Sequence, residues 1–170
     1  MEPGSTRGLI AVILLVILHG VFSTAKSAII NFRQRRVDQS VREEDTKVQL
    51  VNQLAEESTR LLATFQLWMT VTTALAIGIA VLTLFSPLKF AFVDVGLSQT
   101  LSAVLSGTII ILFPALIILV FGDLVPEAVA AGHSERFALW AARPVAALST
   151  LVSPFVRLII GTSNKVAALA

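Results

Sequence analysis

Gly8 to Ile30 reads GLIAVILLVILHGVFSTAKSAII, and this stretch decides the class of the protein. A bilayer core about 30 Å thick needs on the order of 20 mostly apolar residues in one helix. Gly8–Ile30 has that length and carries one formal charge, Lys26, late in the run. Arg7 ahead of Leu9–Leu18 has the outline of a signal peptide. However, the apolar run continues through His19 to Ile30, with no small-residue cleavage site leading into a soluble sequence. The segment reads as a retained first membrane span.

Outward from it, Leu61–Leu84 and Leu101–Val125 also reach spanning length. A fourth apolar stretch, Phe137–Ile160, is long enough but contains Arg143, Arg157, Pro144 and Pro154. At about 100° per residue, Arg136, Arg143 and Arg157 fall within roughly one-sixth of a turn. That favours a helix lying in the membrane interface, arginines toward headgroups, over a fourth span. The fold expected is an all-α membrane protein forming a single domain over residues 1–170. It has three transmembrane helices (8–30, 61–84, 101–125), short cytoplasmic connecting helices and an interfacial helix at 137–160.

The whole composition agrees. The 170 residues are 55% hydrophobic and only 14% charged, with a mean hydropathy of +0.84; soluble domains carry about 25% charged residues. There is no cysteine, which excludes disulfides and thiolate metal sites. Basic residues flank the apolar runs instead of interleaving with aromatics, so no nucleic-acid partner is expected.

Charge distribution sets the orientation. Between spans one and two lie Arg33, Arg35, Arg36, Arg42, Lys47 and Arg60; between spans two and three there is only Lys89. The first loop and the carboxy terminus are therefore expected in the cytoplasm and the amino terminus outside, in the plasma (inner) membrane. Residues 32–60 mix these bases with Glu43, Glu44, Asp45, Glu56 and Glu57 and read as short helices with a solvated face.

Polar groups in hydrocarbon need partners, so function would show at these positions. In span one, Ser23, Thr24, Lys26 and Ser27 replace the leucines and isoleucines. Ser23 and Ser27 share a face, which fits small-residue helix packing or a locally opened helix offering oxygens to a cation. Lys26 is placed to snorkel toward cytoplasmic water. His19 reads as a packed, hydrogen-bonded histidine in preference to a ligand. Span two carries Gln66, Thr70 and Thr73 at i, i+4, i+7, with Met69 at the edge of that stripe. The stripe fits interhelical hydrogen bonding or the wall of a polar cavity.

Span three has Pro114 near its centre, which deprives the Ile110 carbonyl of its helical partner and predicts a kink. It ends in Phe121-Gly122-Asp123-Leu124-Val125-Pro126-Glu127. This run is either an ordinary helix terminus or, through Gly122 and Asp123, a source of hard oxygen ligands for magnesium or calcium. His19 and His133 have no nucleophile beside them, and there is no Gly-rich phosphate loop or His/Cys metal spacing. No enzyme is expected.

In order and spacing, Gly20–Ile30, the arginine-rich stretch after it, Leu61-Leu62-Ala63-Thr64-Phe65-Gln66, Phe121–Glu127 and His133–Ala138 with Ala142-Arg143-Pro144 resemble the transmembrane domain of the cyclin-M/CorC family. The resemblance runs from about residue 8 to 165. It implies a homodimeric magnesium (Mg2+) transporter or efflux protein, in some members coupled to sodium (Na+). It also implies three spans, a juxtamembrane helix belt and a cytosolic pair of CBS nucleotide-binding modules, which these 170 residues do not contain. Carried over by position, the ion site would use Ser23, Gly122 and Asp123, with Met69 and Thr73 standing where the family pattern has asparagines. A thioether is a poor ligand for a hard cation and a hydroxyl weaker than an amide oxygen, so the site is depleted. Lys26 and Glu127 reverse the family's charges at both positions, which fits a Lys26–Glu127 salt bridge or two independent surface changes. The resemblance thus implies transport. The depleted ligands point instead to a non-transporting scaffold or complex subunit that keeps the fold.

Overall fold

The computed structural model describes residues 3–36, 46–56 and 58–167. Arg42, Glu43, Glu44, Asp45 and Glu57 of the charged loop lie outside the described residues. Among the described residues there is no strand. The elements are α1 (Pro3–Arg36), α2 (Thr46–Glu56), α3 (Ser58–Asp94), α4 (Gln99–Ile117), a π-helical segment (Ile118–Leu124), α5 (Val125–Gly132) and α6 (Ser134–Ala167). The protein is an all-α membrane protein. Among the described residues four helical stretches are long and apolar enough to cross a bilayer: Thr6–Phe32, Thr59–Asp94, Gln99–Gly132 and Ser134–Thr162. Length and composition thus qualify α6 alongside the three expected spans.

Local chemistry explains where α3 ends and α4 begins. Gly96 takes φ +96°, a conformation open to glycine at little cost. Its N–H donates to the Val93 carbonyl (2.9 Å) while Leu97 N–H donates to Phe92 (3.2 Å). These are the paired bonds of a Schellman C-cap, which occupy carbonyls that α3 would leave open. Two residues on, the Ser98 hydroxyl accepts from Leu101 N–H (3.4 Å) and caps α4.

The chain packs as two compact units. The first comprises Met1–Val21 and Thr70–Val125; the second comprises Phe22–Met69 and Pro126–Ala170. In the first, the core is narrow and made of small or β-branched residues: Val12, Val16, Ala76, Ala80, Ile110 and Ile118. Along α4, Ser102, Ser106, Ile110 and Pro114 are buried, and Gly122 continues that four-residue spacing. Leu112, Phe113 and Leu116 on the same helix are exposed. Large side chains outside and small ones inside is the pattern of helices packing in lipid, where close backbone approach replaces the hydrophobic drive. Gly8 shows how close: a Cβ there would collide with the Thr83 side chain.

The second unit buries larger groups. Phe22, Ile29, Phe32, Val51, Leu61 and Phe65 form its core, and Phe22 stacks on Trp68 with ring centroids 5.8 Å apart. Alanines 138, 141 and 142 let α6 settle against that core. Arg60 donates to the Ser153 hydroxyl (3.0 Å), tying α3 to α6.

Candidate functional site

The polar centre of the first unit is built around His19, on α1 and only 3% exposed. Its Nδ1 lies 3.0 Å from the Thr72 hydroxyl and 3.3 Å from that of Thr73, both on α3. Its Nε2 lies 3.0 Å from Asp123 Oδ1, in the π segment. An ionised carboxylate only accepts, so Nε2–H must donate to Asp123. With the imidazole neutral, Nδ1 then accepts a hydrogen bond from a threonine hydroxyl. Three elements, with side chains 53 and 104 residues apart in sequence, therefore fix one ring.

The π segment explains why Asp123 reaches inward. Val125 N–H donates to the Val120 carbonyl, five residues back, so this turn is wider than an α-turn. Such single-turn widenings recur at functional positions because they re-aim side chains within an otherwise regular helix. Gly122 supplies the clearance: a Cβ there would lie 3.0 Å from His19 Cδ2 and 3.3 Å from Ile118 Cγ2. Departure from regular geometry thus falls at 118–124, directly after the Pro114 turn where the sequence predicts a kink. The Asp123 side chain keeps 32% exposure, so His19 holds a carboxylate that is only partly buried.

Other sequence-singled residues are distributed as follows. Gly122, Asp123 and Thr73 come together around His19. Ser23 is fully buried, within the second unit. Met69 is buried in that unit's apolar core. Gln66 and Thr70 are exposed, leaving Thr73 as the member of the stripe that turns inward, beside Thr72. The expected Lys26–Glu127 salt bridge is not formed: neither residue has an ionic partner within 4.0 Å among the described residues. Glu127 is exposed on α5 and Lys26 half-buried on α1, so each charge remains accessible without the other. Among the described residues, the carboxylate contact inside the spans is the His19–Asp123 hydrogen bond instead. Among the described residues no three His, Cys, Asp or Glu side chains converge as a metal-holding group.

The sequence points to the Asp123 side of this cluster but not to His19 as its partner, nor to Thr72. What a reader could have noticed is that Thr70, Thr72 and Thr73 crowd one turn of an otherwise apolar span.

The fold and this cluster define a multi-pass helical membrane protein with a carboxylate-bearing polar centre inside its spans. The chain belongs to the cyclin-M/CorC family: the family model described as the cyclin M transmembrane N-terminal domain matches residues 9–170. Among curated proteins it is similar to UPF0053 protein sll0260 of Synechocystis sp., 27% identical over 158 residues, covering 93% of this chain and 35% of that protein. It is also similar to two Bacillus subtilis proteins. UPF0053 protein YugS is 24% identical, covering 92% of this chain and 36% of that protein. UPF0053 protein YrkA is 27% identical, covering 97% and 38%. The chain thus spans little more than a third of the length of these relatives.

Proposed function

We propose that this chain is the membrane-embedded part of a divalent-cation transporter whose substrate is magnesium, working as a homodimer rather than as an enzyme. The observation that carries this reading is Asp123. It is a carboxylate set inside apolar spans, positioned by His19 and only partly buried. Magnesium sheds water reluctantly and commonly binds through one or two carboxylates while keeping several waters. Asp123 with the Thr73 hydroxyl and the Gly122 carbonyl is therefore a sufficient protein contribution in the first unit. Ser23 is the further oxygen that family membership suggests. Imidazole is a poor magnesium ligand, so His19 acts as a positioning residue: its N–H fixes the carboxylate rotamer, as outer partners of metal ligands do. The basic first loop supports an outside amino terminus, a cytoplasmic carboxy terminus and residence in the plasma membrane. Sodium is the proposed coupling ion.

A second reading, a membrane scaffold or complex subunit with a degenerate ion site, is favoured by two observations. Asp123 is already engaged by His19, and Met69 is buried among apolar side chains. Magnesium flux into liposomes holding the purified protein, with and without a sodium gradient, separates the two. Transport requires magnesium-dependent flux in the wild type and at least a tenfold loss in Asp123→Asn. A wild type that gives no flux, or an Asp123→Asn that matches it, leaves the scaffold reading standing.

A further inference from the structure

α6 is divided lengthwise into three strips. One is buried, through residues such as Ala138, Ala141, Val145, Val152 and Val156. The other two are exposed and chemically opposite. Arg136, Arg143 and Arg157 form one; Trp140, Leu151, Phe155 and Leu158 form the other. At about 100° per residue each exposed strip is roughly 60° wide, and the two lie side by side. None of the three arginines has a carboxylate within 4.0 Å among the described residues. Guanidinium groups stay charged at any physiological pH. Three of them beside a strip of large apolar side chains suit an anion that itself borders hydrocarbon.

At the start of α6 the two strips meet in a groove of about 540 Å³ lined by Val129, His133, Arg136, Phe137 and Trp140. Among the described residues no carboxylate lines it. The His133 ring stands edge-on to Phe137, centroids 6.4 Å apart, which holds an imidazole on the same side of the helix as Arg136 one turn away. An oxyanion has a permanent cation and a ring N–H donor here, and an acyl chain has Val129, Phe137 and Trp140. Tryptophan also prefers the depth where headgroup meets hydrocarbon.

We propose that this groove binds the phosphate headgroup of an anionic membrane phospholipid, held by Arg136 and His133, with its glycerol and upper acyl region against Phe137 and Trp140. Arg143, two turns on, extends the same contact along the anionic surface. The site does not depend on whether the chain transports magnesium.

Native mass spectrometry of the purified chain, titrated with phosphatidylglycerol or phosphatidylcholine, tests it. Wild type retains phosphatidylglycerol at least threefold better. Arg136→Gln loses about fivefold of that retention, the scale of one basic residue at an anionic membrane surface. Arg136→Lys keeps most of it, and Arg157→Gln, outside the groove, changes it less than twofold. A second readout is tryptophan quenching by brominated lipids in vesicles: brominated phosphatidylglycerol quenches more than brominated phosphatidylcholine, and Trp140→Phe abolishes the difference. Equal retention of the two lipids, equal effects of Arg136→Gln and Arg157→Gln, or a quenching difference that survives Trp140→Phe would overturn the proposal. So would loss of binding only when an acidic peptide competes, which would assign the groove to a protein partner.

Discussion

The two units of this chain bury their side chains by opposite rules. In the second, Phe65, Ile29 and Val51 vanish into an aromatic and aliphatic core, as they would in a water-soluble domain. In the first, leucines and phenylalanines point outward, while alanine, serine, glycine and a histidine–aspartate pair occupy the interior. Where the surroundings are lipid, burying a large apolar group gains little, so cohesion comes from close backbone approach and from polar groups that satisfy one another. The difference teaches where function can reside. Among the described residues, only the first unit spends interior space on a histidine–carboxylate hydrogen bond inside its spans, and only there does a π turn break the regular helix.

Four substitutions can break or sharpen that contrast, each read by thermal or denaturant unfolding of purified protein in detergent. Phe65→Ala in the second unit should be the most damaging, at about 3–5 kcal/mol, since it empties a fully buried aromatic site. A loss below about 1 kcal/mol would show that this unit is not held by its core. In the first unit, His19→Ala removes a hydrogen bond to a charged group and should cost about 1.5–3 kcal/mol. Gly122→Ala places a methyl 3.0 Å from a ring that hydrogen bonds pin on both sides, so the ring cannot step aside freely. A loss of about 1–3 kcal/mol is expected, as for other overpacked interiors, and an unchanged protein would mean that the histidine moves. Smallest of all, Ser106→Ala should change nothing or stabilise by up to about 1 kcal/mol. Its buried hydroxyl has no hydrogen-bond partner among the described residues, so deleting it removes a penalty and not a bond.

The membrane class, the all-helical fold and the family were legible from hydrophobic run length and the order of a few motifs. Asp123 was legible as well, because a carboxylate beside glycine at the end of an apolar run is unusual chemistry. His19 was not legible as its partner, since that contact joins residues 104 positions apart and helical periodicity says nothing about which helices meet. The π segment was hidden for a related reason. The sequence offered Pro114 as the irregular point, whereas the widened turn lies at 118–124, and no residue type marks a π turn in advance. The Lys26–Glu127 pair failed because reversed signs at two positions show compatible charges, not contact. Gln66 and Thr70 share a stripe with Thr73 on paper, yet both are exposed in the fold. A three-residue polar stripe fixes a face only when the neighbouring helices are known.

Direct magnesium binding, by isothermal titration of the detergent-purified chain, tests most closely whether the first unit's polar centre is an ion site. Saturable binding is expected in the wild type, with at least a tenfold weaker signal in Asp123→Asn and an unchanged one in Ser106→Ala. Equal binding by wild type and Asp123→Asn would contradict the assignment of that centre to the ion.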